Sequence, residues 1–421
     1  MAAFGNSQLS GRIAFTYPSF TLYQLARFFI VLAVEMQSVA VGWQVYEITK
    51  RPLDLGLVGL AQFLPGLVIF LVSGYVADHF DRRKVLTGAY LGYGLCSALL
   101  LTIALRGIHS VYPIYGVMLG VGVARSFNAP VSRAILPQLV PDEHFQSAFA
   151  WGASIFQTAT ILGPALGGLV YALARGPIAV YVCSLAAAAS SAIAMLRIKL
   201  RPASRKKEPV SWKIALAGFR YIRERKIVLG SISLDLFAVL LGGATALLPA
   251  YARDILRAGP LGLGLLRCAP AIGAATMAMA LAHRPLGRRA GVKMLWCVAA
   301  YGVFTILFAV SRNIVLSMIA LAFVGASDMV SVVVRGILVQ LATPDEMRGR
   351  VNAVDMIFIG ASNELGAFES GATAQWLGAV PAVILGGAGA IVITALWAWF
   401  FPELRNADQI VTPEPETSTV V

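Results

Sequence analysis

Residues 133–143 read Arg-Ala-Ile-Leu-Pro-Gln-Leu-Val-Pro-Asp-Glu, and residues 335–346 read Arg-Gly-Ile-Leu-Val-Gln-Leu-Ala-Thr-Pro-Asp-Glu. The second stretch is the first displaced by about 202 positions, with one residue inserted. Beyond the two copies, Gly163 aligns with Gly366 and Gly168 with Gly371. A repeat at half the chain length means that one unit was built twice, and the residues around it say what that unit is.

Hydrophobic residues make up 58% of the 421 positions, charged residues 13%, and the mean hydropathy is +0.75. A soluble domain carries about 25% charge because its surface needs it, so lipid must replace water over much of this chain. Apolar runs long enough to span a bilayer, roughly 20 residues each, recur near 20–47, 56–77, 85–105, 111–135, 146–173, 177–198, 227–251, 260–282, 290–311, 313–341, 350–374 and 377–401. The eleventh is the most polar. Each run is continuously apolar instead of alternating, which selects helices over a barrel. The repeat copies fall at the junctions of spans four and five and of spans ten and eleven. Six spans separate them, so both copies have the same orientation, as in transporters with parallel repeats.

The expected fold is therefore an all-α membrane protein of twelve transmembrane helices in two six-helix bundles. Residues 1–198 form the first, 199–226 a cytoplasmic linker, 227–402 the second, and 403–421 a disordered tail rich in Thr, Pro and Glu. The linker opens with Arg201, Arg205, Lys206 and Lys207. Trp212, Ala215, Leu216, Phe219 and Ile222 then share a helical face, with Lys213, Arg220, Arg223 and Arg225 on the other side. That pattern suits a helix lying on the inner leaflet.

Net charge is +13, and its placement argues for topology and against a nucleic-acid partner. With the N-terminus inside, the inner segments hold Arg12, Arg82, Arg83, Lys84, Arg133, the 197–226 cluster, Arg284, Arg288, Arg289, Lys293, Arg335, Arg348, Arg350 and Arg405. The outer loops hold Lys50, Arg51, Arg106, Arg175, Arg253, Arg257 and Arg312. This bias is the positive-inside rule, and it puts both termini in the cytoplasm of a multi-pass protein of a bacterial-type inner membrane. No cleavable signal peptide is expected, since the first apolar run is too long for a signal core.

Several chemistries lack their residues. No Gly-x-x-x-x-Gly-Lys loop is present for ATP. The four histidines are isolated, so neither zinc ligation nor a Ser-His-Asp site is implied. Cys96, Cys183, Cys268 and Cys297 are scattered singly through apolar spans as small packing residues. An enzyme is not expected, nor a metal or cofactor; the energy source expected is the proton gradient.

The most specific local pattern follows span two. Gly74 is followed by three residues, Asp78, two residues, then Asp81, Arg82, Arg83 and Lys84. A carboxylate at a helix C-terminus opposes that helix's dipole, so Asp78 is expected to face a basic residue or another helix's N-terminus. In span five, Gly163-Pro164-x-x-Gly167-Gly168 joins a kinking residue to small residues that permit close packing. These motifs resemble those of the major facilitator superfamily, whose signature loop runs Gly-x-x-x-Asp-Arg-x-Gly-Arg-Arg-Lys. This copy carries His79 for the usual Arg and Asp81 for the usual Gly. The resemblance implies that Gly74, Asp78, Asp81, Arg82 and Arg83 form a gate latch. The span-five pattern resembles the motif of exporters that exchange substrate for protons, with Ala150 and Ala159 where that family has glycines. Arg125 in span four resembles the family's buried basic residue associated with proton exchange. Over nearly its whole length, the chain resembles the branch of enterobactin-exporter-like and macrolide-efflux-like carriers. Residues Met36 to Tyr46 and the ending Pro402-Glu403-Leu404-Arg405 carry that resemblance.

Ionisable residues inside spans are costly and point to function. Span one puts Gln24, Arg27, Glu35 and Ser38 on one face. Span four aligns Arg125, Asn128 and Ser132, and span ten aligns Asp328, Ser331 and Arg335. Span seven carries Asp235, and span eleven Asp355, Asn363, Glu364 and Glu369. The proton-coupling set expected is Glu35, Arg125, Asp235 and Asp328, Glu35 first, with a static interhelical ion pair as the competing reading. The expected substrate cavity draws on Arg27, Asn128, Gln157, Asn363, Glu364 and Glu369. Phe63, Phe156 and Phe237 are candidates for an apolar wall. Arg133 and Arg335, at the inner ends of spans four and ten, read as snorkelling or latch residues.

Together these features predict a secondary antiporter, acting as a monomer among membrane lipids. It would export an amphipathic small molecule, siderophore or drug-like, as drug-resistance carriers do, by alternating access. A lysophospholipid or lipid transporter of the same fold is the alternative.

Overall fold

The structure, a computed structural model, describes residues 13–201, 212–284 and 289–407. Arg12, Arg205, Lys206, Lys207, residues 285–288 with Arg288 and the tail from 408 onward lie outside those residues, as does the linker's stretch 202–211.

The first half is six long helices: α1 (Pro18–Thr49), α2 (Pro52–His79), α3 (Arg82–Leu105), α4 (Tyr112–Ala134), α5 (Phe145–Ala174) and α6 (Ile178–Leu196). Their starts are sequence-encoded: Pro sits in the first turn of α1, α2 and α4, where the missing N–H costs nothing. Asp81 caps α3 by accepting from the Arg83 N–H. The linker helix α7 (Trp212–Glu224) follows, then α8 (Lys226–Leu241), α9 (Gly259–His283), α10 (Ala290–Val310), α11 (Ile314–Ala342), α12 (Asp345–Leu377), α13 (Ala379–Phe400) and the short α14 (Pro402–Arg405). Asn313 caps α11 through bonds from the N–H groups of Val315 and Leu316.

The expected spans match these helices within a few residues at most ends, with one correction. Span seven was expected as a continuous helix over 227–251, but α8 stops at Leu241. Gly242 and Gly243 break it; a Cβ on Gly243 would come 2.5 Å from the Gly366 carbonyl oxygen of α12. Only glycine allows this approach, and the chain continues as 3-10 and α turns into the π-helical turn Tyr251–Ile255. A π-turn re-aims the side chains it carries.

Ten described helical segments are long and apolar enough to cross a membrane. The two long helices outside that set are α4 and α12, and they are the ones that share a cross-half ion pair, described below. Within the first half, α1 packs on α5 and α6, and α3 on α4 and α6; within the second, α11 packs on α9 and α10, and α10 on α13. Between the halves, α2 packs on α12 and α5 on α9. At the face bearing the described chain ends, Ser19 bonds Lys199, and Leu404 closes onto Gly291. This is termed the terminal face, and the opposite side the far face.

At the far face the halves are pinned. Gly168 and Gly264 meet backbone to backbone, Gly56 lies against Phe368, and Gly371 against Pro52. The π-turn adds a polar lock. Tyr46 donates to Asp254 at 2.5 Å, Arg253 lies 3.5 Å from Glu47, and Tyr171 donates to the same carboxylate at 3.3 Å. The Arg253 guanidinium also stands 5.8 Å from the Trp43 ring centroid. On the terminal side of midplane, Arg133 of α4 donates to the Met356 sulfur of α12 at 3.1 Å.

Candidate functional site: a charged seam at mid-membrane

Halfway along the helices, the facing surfaces of the two halves carry charge. Arg125 of α4 reaches across to Glu364 of α12 at 2.8 Å. The side chain of Arg125 is 57% exposed although it faces another helix, so it lines a cleft between the halves. Gly59 of α2 makes room for the carboxylate: a Cβ there would lie 3.1 Å from Glu364 Oε2. Arg125 and Glu364 are among the polar residues that lower the hydropathy of α4 and α12. A helix that borders water or a counter-ion does not need a fully apolar surround.

The second crossing was not anticipated from the sequence. Arg267, midway along α9, donates to Ser38 of α1 at 2.5 Å. Glu35 stands one turn away on the same face of α1. Arg267 is a lone guanidinium in an apolar span, and the rule that singled out Arg125 would have found it.

The span-five motif explains how α5 comes so close to α1 and α9. A Cβ on Gly163 would overlap the Cβ of Glu35, and one on Gly167 would sit 2.8 Å from Met36 Cα. Gly168 meets Pro260 and Gly264 of α9, and the Pro164 carbonyl lies 2.5 Å from where a Gly264 Cβ would be. Three glycines thus remove the side chains that would hold α5 off both halves. Below them, Gln157 donates to the Ala271 carbonyl of α9 at 3.1 Å, and the Cys268 thiol donates to Ile161 at 2.9 Å.

A third charged group lies wholly within the second half. Arg335 of α11 contacts Asp235 of α8 at 3.0 Å and Asp355 of α12 at 3.1 Å. The side chains of Arg335 and Asp235 are only 5% and 7% exposed. This corrects the reading of Arg335 as a snorkelling or latch residue. Its helix carries it inward to two carboxylates, and breaking such a buried pair leaves an uncompensated charge. Beside the triad, Asp235 and Asp328 line a small pocket with Ser327, Ser331 and Tyr301. The Ser331 hydroxyl has no partner, and Asp328 makes no hydrogen bond or ion pair among the described residues.

The remaining expected residues are placed as follows. Arg27 lies under the Phe156 ring, 5.1 Å from its centroid, and donates to the Gly152 carbonyl at 3.4 Å. Asn128 accepts from Ser132 at 2.9 Å. Asn363 donates to Ile359 of its own helix, and Glu369 accepts from Thr373 at 2.7 Å. Phe63, Phe156 and Phe237 do not form one wall: Phe63 approaches Gly360, whereas Phe237 packs on Trp397 at 5.4 Å. In the loop, Gly74 and Asp78 end α2. Arg82 donates to the Ala134 carbonyl at 2.6 Å and Arg83 to the Ile198 carbonyl at 3.2 Å. Those two arginines cap the terminal-face ends of α4 and α6, inside the first half, where cations suit helix C-termini. His79 stacks on Tyr75 at 4.1 Å.

Comparison with known proteins agrees with this architecture. Residues 13–418 match a family described as transmembrane secretion effector. The enterobactin exporter EntS of Shigella boydii serotype 4 is 27% identical over 412 residues, covering 96% of either chain, and EntS of Escherichia coli K12 is equally similar. Among solved structures, the nucleoside transporter NupG aligns with a TM-score of 0.68 at 14% identity, covering 91% of this chain and 99% of that one. A bacterial homologue of the lysosomal transporter Spinster, inward-facing and unoccupied, aligns at 0.69 with 12% identity, covering 94% and 99%.

Proposed function

Since this chain belongs to the major facilitator superfamily, in the family described as transmembrane secretion effector, we propose that it is a proton-coupled exporter of an amphipathic small molecule. The chain is a multi-pass membrane transporter; direction, coupling and substrate class are the proposal. The two halves rock about the seam, and the membrane is a bacterial inner membrane with both termini on the cytoplasmic side. The positive charge of the terminal-face segments supports that orientation.

The observation that carries the reading is the position of Glu35. It is an ionisable group in the middle of α1, seated against the Gly163 backbone one turn from Ser38, the residue that Arg267 of the other half reaches. A carboxylate there answers to both bundles at once. Its ionised form attracts the nearby guanidinium groups, and its protonated form does not. Proton binding therefore changes how strongly the halves attract across the midplane, which is the differential interaction that a coupled conformational change requires. Asp328, which has no hydrogen bond or ion pair among the described residues of the second half's pocket, is a second proton acceptor of the same kind.

The relatives' name supports a siderophore-like substrate, and the exposed Phe156 ring supports an aromatic or apolar body. Proteoliposomes loaded with the pH dye pyranine test the coupling. Addition of a catecholate siderophore or a lipophilic dye should move protons with wild-type protein and not with Glu35→Gln. Undiminished proton movement in Glu35→Gln removes Glu35 from the mechanism. Lysophospholipid movement without a pH gradient would instead favour a lipid transporter.

A further inference from the structure

The arginines deep in the spans differ in how their charge is answered. Arg125 has Glu364, Arg335 has Asp235 and Asp355, and Arg267 has Ser38 with Glu35 nearby. Arg27, nine residues into α1, has no carboxylate partner among the described residues. What it has is a long bond to a carbonyl and the face of an aromatic ring. One turn earlier, Gln24 is 2% exposed, and neither its amide nitrogen nor its amide oxygen has a partner among the described residues. Buried amides are almost always bonded, and an orphan requires a reason.

The two head groups converge. A Cβ on Gly152 of α5 would lie 3.1 Å from the Gln24 amide nitrogen and 3.3 Å from an Arg27 guanidinium nitrogen. A guanidinium without a carboxylate partner and an amide donor without an acceptor, among the described residues, therefore pack against the same glycine of α5. Above them stands Phe156, a residue 42% exposed. Both missing partners would be supplied by one ligand: an oxyanion on the guanidinium and amide, with its apolar body against the ring. Charge-assisted bonds to such a group are the strong ones.

We propose that Arg27 and Gln24, meeting beside Gly152 under the Phe156 ring, form a subsite for the carboxylate or similar oxyanion of an aromatic substrate. The inference rests on the export reading above and narrows its substrate class to amphipathic anions. The subsite belongs to the first half alone, so a substrate bound there travels with that half while the seam opens and closes.

The probes are 2-naphthoate, ionised at neutral pH, and its uncharged analogue 2-naphthamide. Binding to the purified full-length protein is read from the rise in its thermal midpoint with ligand concentration. Wild type should bind naphthoate at least about tenfold more tightly than the amide. Arg27→Gln should bring that ratio close to one, with Arg27→Lys between. Gln24→Leu removes both unpartnered atoms, so its ligand-free thermal midpoint should hold or rise while the naphthoate preference falls severalfold. Gly152→Ala, which crowds both head groups, should weaken naphthoate more than the amide. Equal binding of the two probes by wild type, or an unaltered preference in Arg27→Gln, overturns the proposal. Proton-driven export in vesicles is measured on the same preparations. Preference without export sinks the export reading and leaves the subsite standing, whereas export without preference does the reverse.

Discussion

Gly163→Ala is the sharpest perturbation of this molecule, because one methyl group lands on the seat of Glu35. The ideal Cβ overlaps the Glu35 Cβ and lies 3.3 Å from both the Glu35 Cγ and the Leu32 carbonyl. The obstructing atoms are a backbone-fixed Cβ and a backbone carbonyl, so no rotamer change relieves the clash, and α1 and α5 must separate. Overpacking of this sort costs roughly 1–3 kcal/mol. The exchange of Gly for Ala inside a helix returns up to about 1 kcal/mol through propensity; because the clash here is with fixed backbone and Cβ atoms, the cost falls at the upper end, leaving a net loss of up to about 2 kcal/mol. Gly116→Ala in α4 is the matched control, since a Cβ there meets nothing within 4 Å, and it should be neutral or slightly stabilising. The assay is the thermal midpoint of purified protein for both variants, with proton-driven export measured in vesicles. Gly163→Ala should melt below both wild type and Gly116→Ala and should lose most export, because Glu35 is displaced from Arg267. If Gly163→Ala matches Gly116→Ala in both measurements, then the glycine does not seat Glu35 and the argument fails.

Three further outcomes follow from the charged contacts. Arg335→Met leaves Asp235 and Asp355 buried without a cation and should cost about 3–5 kcal/mol, seen as loss of monodisperse protein on size exclusion; a well-behaved variant would contradict the buried triad. Glu364→Arg should abolish export by placing two guanidinium groups face to face, and adding Arg125→Glu should restore a measurable part of it. A double variant no better than either single one would mean that the pair does not act across the seam. Tyr46→Cys with Asp254→Cys should crosslink in the far-face-closed state and block export until a reductant is added; export that persists while crosslinked would show that the far face need not open.

Much of this molecule was legible in its residues. The bilayer demands continuously apolar helices with internally satisfied backbones, so the spans from α1 to α6 and from α9 to α13 could be read from hydropathy. The repeat at Arg133 and Arg335 gave their grouping. The same physics located most of the seam, because charge within a span is expensive enough to stand out: Glu35, Arg125 and Glu364 were all visible. Arg267 carries the same signal, a single guanidinium within an apolar span.

Tertiary structure alone decided which charges meet. Arg125 and Glu364 are 239 residues apart, and nothing local distinguishes that pairing from one with Glu369. Likewise, Arg335 read as an edge residue until α8 and α12 brought two carboxylates to it. The break after Leu241 depends on Gly243 meeting the backbone of α12, and the span-five glycines became meaningful only against α1 and α9. Hydropathy is a sum over one helix in lipid and survives in the sequence as composition. Pairing depends on the rotation and depth of two helices from different halves, and short-range forces set it only once the bundles have packed.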